Sequence, residues 1–192
     1  MHHSPAVKIH SIEILSDNWY VLRKVHFDYQ LKNGNWQRQD REAYDRGNGA
    51  VILLYNQESR TIVLTRQFRM PTYINGNPDG MLIEACAGLL DQDQPADAIR
   101  RETEEETGFR LKDVTRVFDA YMSPGSVTEK LYFFIAAYDH NMKIADGGGI
   151  DQEEIEVLEI PIEDAFQMID TGEIQDGKTI LLIQHLRLKG IL

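Results

Sequence analysis

The chain has 192 residues, 42% hydrophobic and 27% charged, with a formal net charge of −11. That is one domain's worth of chain with a small appendage, too apolar for wholesale disorder and too acidic for nonspecific nucleic-acid binding, which needs a cationic surface. No apolar run approaches the roughly 20 residues of a membrane span, Met1 to Pro5 does not read as a signal peptide, and a single cysteine, Cys86, excludes both an internal disulfide framework and a cysteine-based zinc site, so a cytoplasmic protein is expected.

In chain order, Val25, Phe27, Tyr29 and Leu31 alternate with Lys24, His26, Asp28 and Gln30, a half-buried strand. Asn33-Gly34 supplies a turn, since both residues tolerate positive φ. The return strand, Trp36 to Tyr44, is polar on both faces and reads as an edge, a ligand wall or a subunit contact. Ala50 to Tyr55, Thr61 to Phe68 and Met81 to Ala87 are three further strands, rich in Val, Ile and Leu. Pro95 to Thr107 predicts a helix, with proline in its first turn and Gly108 just past its end. Val114 to Tyr121 and Lys130 to Tyr138 are strands around the loop from Met122 to Glu129. A glycine-rich acidic loop, Asp146 to Glu154, precedes a strand, Ile155 to Ile160, and two helices, Ile162 to Asp170 and Lys178 to Leu188. The class is α/β or α+β, with too few helices for a doubly wound sheet.

Charge is divided along the chain. Residues 1–70 carry ten Lys and Arg against seven Asp and Glu, a net of +3, and residues 71–192 carry ten against twenty-four, a net of −14. One explanation is a solvated acidic surface; the other is early arginines for an anionic ligand and later carboxylates for a divalent metal. The acidic helix bears on both, since taken alone such a run also reads as a solvated helix face. Glu102, Glu105 and Glu106 share one face at about 100° per residue, while Glu104 points elsewhere. Like charges at Glu102 and Glu106, four residues apart, destabilise a bare helix, and a hard divalent cation with oxygen ligands reverses that sign. Arg101 is placed to pin Glu105.

The stretch from Gly88 to Phe109 resembles the box of the Nudix family, G-x5-E-x7-R-E-U-x-E-E-x-G-U with U apolar. Arg101-Glu102, Glu105-Glu106 and Gly108-Phe109 match at the right mutual spacing. Three departures stand out: the interval from Gly88 to Arg101 is one residue short, the first box glutamate falls on Gln94 or Asp93, and Thr103 replaces the apolar U. Pro124, fifteen residues beyond Phe109, is similar to the nucleoside-diphosphate-sugar branch that includes ADP-ribose pyrophosphatases. Leu15 to Tyr20, Arg41-Glu42, Tyr44 to Gly49, Arg66 to Arg69, Ala87 to Asp91, Tyr121 to Gly125 and Asp176 to Thr179 resemble segments of the bacterial GDP-mannose pyrophosphatases.

The resemblance implies a Nudix α/β/α sandwich with a mixed sheet over 47–192 and an N-terminal antiparallel β region over 1–46, which would supply a substrate wall and a dimer contact. It implies hydrolysis of a nucleotide-sugar diphosphate with Mg²⁺ or Mn²⁺, GDP-mannose giving GMP and mannose 1-phosphate, by a homodimer. It makes Glu102, Glu106, Glu153 and the Ala87 carbonyl metal ligands, and Glu105 a ligand or water-holder. Glu153 is its general base, with Glu154 the rival and the Gly147-Gly148-Gly149 run as a mobile lid. Substrate contacts are expected from Trp19, Arg41, Glu42, Arg69, Ala87, Gly88, Leu89, Glu106, Glu129, Gln152, Glu153 and Lys178. Some also have a chemistry of their own: Trp19 to stack on a purine, Arg41 and Arg69 to fork onto phosphate, and Lys178, which opposes the dipole at a helix start. ADP-ribose is the alternative substrate, and a catalytically idle module that binds a nucleotide sugar is the alternative class.

Overall fold

The computed structural model describes residues 6–90, 92–150 and 153–192. The chain forms two units, one built from residues up to Asn48 with Tyr121–Lys130, the other from Gly49–Ala120 with Leu131–Leu192. Among the described residues, no helix is long and apolar enough to cross a membrane.

The first unit is an antiparallel sheet of β1 (Val7–Asp17), β2 (Val21–Gln30) and β3 (Trp36–Asp45), in that order. The turn at Asn33-Gly34 forms as expected, with Gly34 at φ 85°. β3 is an edge of this sheet, one of the three readings its polar composition left open. β1 escaped the sequence reading because its apolar residues lose strict alternation. A bulge between Ile9 and Ser11 inserts one extra residue, so that Val7, Ile9, Ile12 and Ile14 face the same side, opposite Tyr29, Phe27, Val25 and Arg23. The loop 121–130 joins this unit through Tyr44, whose N–H donates to the Ser126 carbonyl and whose carbonyl accepts from Thr128 N–H.

The second unit is a mixed sheet between helices. In chain order come β4 (Gly49–Asn56), β5 (Thr61–Phe68), α1 (Met70–Ile74), β6 (Met81–Glu84), β7 (Ala87–Leu89), α2 (Pro95–Thr107), β8 (Thr115–Tyr121), β9 (Lys130–Ala137), β10 (Glu156–Pro161), α3 (Ile162–Thr171) and α4 (Gly177–Leu188). The sheet order is β10-β5-β4-β9-β8, with β4 and β9 parallel and β5 antiparallel to both β4 and β10. Ala50, Ile52 and Leu54 face the α2 side, in one core with Ala98, Ile99 and Phe109. Val51 and Leu53 alternate to the opposite face, where α4 packs with Leu182, Ile183 and Leu186 buried. This is the expected α/β/α sandwich.

One element differs from expectation. Met81 to Ala87 is two strands, not one. β4 and β5 pair only from Leu54 to Asn56, beyond which β6 continues the pairing on β5 and β7 on β4. At the step between them the Ala85 N–H donates to Thr179 Oγ1 at 2.6 Å and the Cys86 carbonyl accepts from Ile52 N–H at 2.9 Å. The segment bridges two diverging strands, and continuous hydrophobicity cannot reveal such a change of partner.

Candidate active site

Helix α2 carries the acidic set. Proline opens it, Asp97 sits in its first turn, and Gly108 closes it in the left-handed conformation at φ 76°. Ile99 and Ala98 anchor its inner face, which turns Glu106 inward to 6% exposure and leaves Glu102 and Glu105 partly open. Arg101 Nη1 lies 3.0 Å from Glu102 and 3.4 Å from Glu105, so the expected pin forms. Glu104 points away and is forked by Arg110 at 2.8 and 2.6 Å. Of the two candidates for the first box acid, Asp93 lies 3.6 Å from Arg101, while Gln94 caps the helix only by backbone geometry. Thr103, in place of the apolar residue, is fully buried yet satisfied, because its hydroxyl donates to the Ile99 carbonyl at 2.6 Å.

Backbone closeness explains the glycines. A Cβ at Gly88 would lie 2.2 Å from the Glu102 carboxyl carbon, so glycine lets that side chain lie on the strand beside Ala87. The expected mobile lid is bonded to the helix. Gly148 N–H donates to the Glu106 carbonyl at 2.9 Å and Gly149 N–H to the Glu105 carbonyl at 3.1 Å. These bonds satisfy carbonyls that a helix end otherwise leaves unpaired. Gly147 and Gly149 adopt φ 76° and 83°, and a Cβ at Gly149 would strike Glu153. Glu153 itself is tied down, its Oε2 accepting from Ile150 N–H at 3.1 Å.

The electrostatics show what this arrangement assembles. Burial raises the Glu106 carboxyl to about 7; Glu102 and Glu153 push the same way, while the Cys86 thiol and Arg69 oppose. Glu102 is raised too, by burial first and by Glu105 and Glu153 as well, against Arg101. Glu153 therefore acts on both helix carboxylates, and Arg69 reaches the innermost one. Cys86 is buried, its thiol donating to Thr103 Oγ1 at 3.9 Å and pushed up by burial.

The donor set suits a hard divalent ion. Among the described residues, no three acidic, histidine or cysteine side chains converge on one point as they stand. Among those same residues, however, Glu106 Oε2 is a buried side-chain oxygen without a hydrogen-bond partner. An orphaned carboxylate oxygen beside two further carboxylates is costly unless a cation sits with it.

Arg69 and Lys178 meet on a residue the sequence reading missed. Glu84, 4% exposed at its side chain, accepts from Arg69 Nε at 2.5 Å and from Lys178 Nζ. A lone carboxylate inside the apolar run Met81 to Ala87 is the signal that marks it, because a buried charge requires a partner. Asp176 Oδ1 lies 3.0 Å from Lys178 Nζ, and Asp176 caps α4 by accepting from Thr179 N–H. Leu89 lies in β7, paired with Gly49.

The remaining candidates belong to the first unit. Trp19 stands 85% exposed in the β1–β2 turn, edge-on to Tyr20 at 6.3 Å, and Tyr20 is edge-on to Tyr44 at 5.8 Å. Arg41 and Glu42 are neighbours in β3, so the pleat sends them to opposite faces. Glu129 lies 3.4 Å from Arg46. Gln152 and Asp151 lie outside the described residues.

Comparison with known proteins bears on both units. Residues 6–44 match the family model of the GDP-mannose pyrophosphatase NudK N-terminal domain, and residues 45–183 match that of the NUDIX domain. A GDP-mannose pyrophosphatase of Enterobacter sp. is 55% identical, with 97% of each chain covered. Those of Pectobacterium atrosepticum and Yersinia enterocolitica are each 54% identical, covering 97% of this chain and 97% and 99% of theirs. The crystal structure of an ADP compounds hydrolase aligns at TM-score 0.69 and 19% identity over 96% of this chain and 95% of that one, a likeness of fold. With the box residues gathered on one helix and a family model matched over most of its length, the chain belongs to the Nudix family.

Proposed function

We propose that the protein hydrolyses the diphosphate of GDP-mannose to GMP and mannose 1-phosphate. The observation that carries this reading is the orphaned, buried oxygen of Glu106 among the carboxylates of α2 and Glu153. The choice of nucleotide sugar rests on relatives of that name at 54–55% identity over nearly the whole chain. Nudix hydrolases generally use divalent metal ions, and Mg²⁺ or Mn²⁺ suits an oxygen-only donor set. Glu102, Glu106, Glu153 and the Ala87 carbonyl would hold the ion, with Glu105 as a ligand or water-holder. Bound there, a divalent cation offsets charge on the phosphate oxygens and acidifies water.

The protein's own residues supply the rest. Arg69 and Lys178 draw in the phosphate oxygens, and water attacks phosphorus. Glu153 takes the proton, with Glu154 the other candidate. Gly88 and Leu89 lend backbone contacts, Trp19 stacks on guanine, and Arg41, Glu42, Glu129 and Gln152 complete the substrate contacts. The enzyme is a cytoplasmic homodimer in this reading: Cys86 is a buried free thiol, and β1 carries an exposed apolar face suited to a second copy.

The test is turnover of GDP-mannose and ADP-ribose at equal concentration with Mg²⁺, reading nucleotide monophosphate release. GDP-mannose is expected to be the faster substrate. Faster ADP-ribose turnover would overturn the guanine assignment, and tight GDP-mannose binding without product would make the protein a binding module.

A further inference from the structure

We infer that Glu84 is a positioning residue for phosphate recognition, a buried bracket that holds Arg69 and Lys178 as a pair of aimed cations. The inference rests on the function proposed above and deepens it.

Glu84 lies at the end of β6, where the chain leaves β5 for β4. Its carboxylate is divided between two partners from distant parts of the chain, Oε2 to Arg69 Nε and Oε1 to Lys178 Nζ. Two cations brought together in a half-dry setting repel each other, and a carboxylate between them offsets that repulsion. Engaging Arg69 through Nε leaves the two terminal nitrogens of its guanidinium to fork onto a phosphate. The Arg69 side chain is 39% exposed although the carboxylate that grips it is 4% exposed. Its charge already acts on Glu106, so the bracketed arginine sits within reach of the acidic centre. Lys178 is steadied a second time by Asp176, and Arg69 by its backbone, whose N–H donates to the Gly80 carbonyl at 2.8 Å. Both arms are therefore fixed before any substrate arrives, which lowers the entropy cost of binding a charged ligand.

A bracket and a mere counter-charge predict opposite signs. Glu84→Gln removes a negative charge beside two cations, and Coulomb attraction alone would then tighten binding of a diphosphate. Loss of aim does the reverse. The expected result is a KM for GDP-mannose raised about tenfold, the worth of one charge-assisted hydrogen bond, with kcat changed far less. A methylene-bridged, uncleavable analogue of the sugar diphosphate should lose affinity to the same degree by calorimetry. Glu84→Asp keeps the charge but is one methylene too short to grip both arms, and should show the same shift in smaller measure. It also serves should Glu84→Gln fail to fold. A KM that is unchanged or lowered in either folded variant overturns the inference. Wild-type protein that turns over no GDP-mannose overturns the function instead, so the two failures are distinguishable.

Discussion

Glu106 combines three properties that no purely structural glutamate needs: near-complete burial, an oxygen with no donor, and two carboxylates acting on it. Its proton affinity has a calculable consequence. The folded-state value near 7 lies above the ordinary 4.5, so the stability this group contributes is full below about pH 4.5 and is lost as pH rises through about 7. The loss is on the order of 3 kcal/mol in the metal-free protein. Melting temperature of chelated wild type should therefore fall from pH 6 to pH 8, and Mg²⁺ or Mn²⁺ should raise it more at pH 8. Glu106→Gln should flatten that slope and lower turnover by at least about a hundredfold, while circular dichroism remains that of the wild type. Near wild-type turnover would remove Glu106 from the chemistry. At this scale the sequence was readable where a pattern carried the residue, as with Glu102, Glu105 and Glu106 at helical spacing. It was silent on Glu84, whose partners lie 15 and 94 positions away and meet only when β5 and α4 are placed.

The glycine-rich segment before β10 caps the end of the acidic helix. Its N–H groups bond the Glu105 and Glu106 carbonyls, so the position of Glu153 is set by the same backbone that ends α2. Gly147 is where this can be tested. It holds φ 76°, and a Cβ would lie 2.5 Å from the Glu106 carbonyl oxygen and 2.6 Å from the Thr107 carbonyl carbon, both backbone atoms that cannot move aside cheaply. Gly147→Ala should cost about 1–3 kcal/mol in denaturant unfolding. It should also speed amide exchange at Gly148 and Gly149 and depress kcat by displacing Glu153. Unaltered exchange there would show that the loop is not anchored as described. Among the elements, helix α2 was predicted to the residue because proline, periodicity and glycine agreed on its bounds. The β6–β7 step and β1 were not, since a change of strand partner and a bulge each break the local pattern that a sequence displays. Five-residue α1 lacked the length to show a period.

The whole molecule distributes charge and apolar surface unevenly, and the unevenness bears on where the proposed homodimer would make its contact. Residues 1–48 with 121–130 carry eight Lys and Arg against seven Asp and Glu, and the rest of the chain twelve against twenty-four, so association through the acidic second unit would set like charges against each other. In the sheet of the first unit, one face gathers most of the ion pairs, His10 with Asp28, Arg38 with Asp28, and His26 with Asp40, while Arg23 with Asp45 lies at one end of the other. The other face presents Val7, Ile9, Ile12 and Ile14 at 53–61% exposure, backed by Val25, Phe27 and Tyr29. A long edge strand with an apolar face is an aggregation hazard when left open. A two-fold contact covers such a patch with its own copy and closes, whereas a head-to-tail contact would not. Each aliphatic side chain buried there contributes about 1.5–3 kcal/mol before the cost of association. Light scattering at micromolar concentration should therefore give the mass of two chains. The double variant Ile9→Glu, Ile12→Glu should give the mass of one, with its circular dichroism intact, because paired glutamates facing across the axis repel and lose hydration. A wild-type monomer would refute the association itself. A variant that remains two chains would move the contact away from β1, and the exposed face would then need a different occupant.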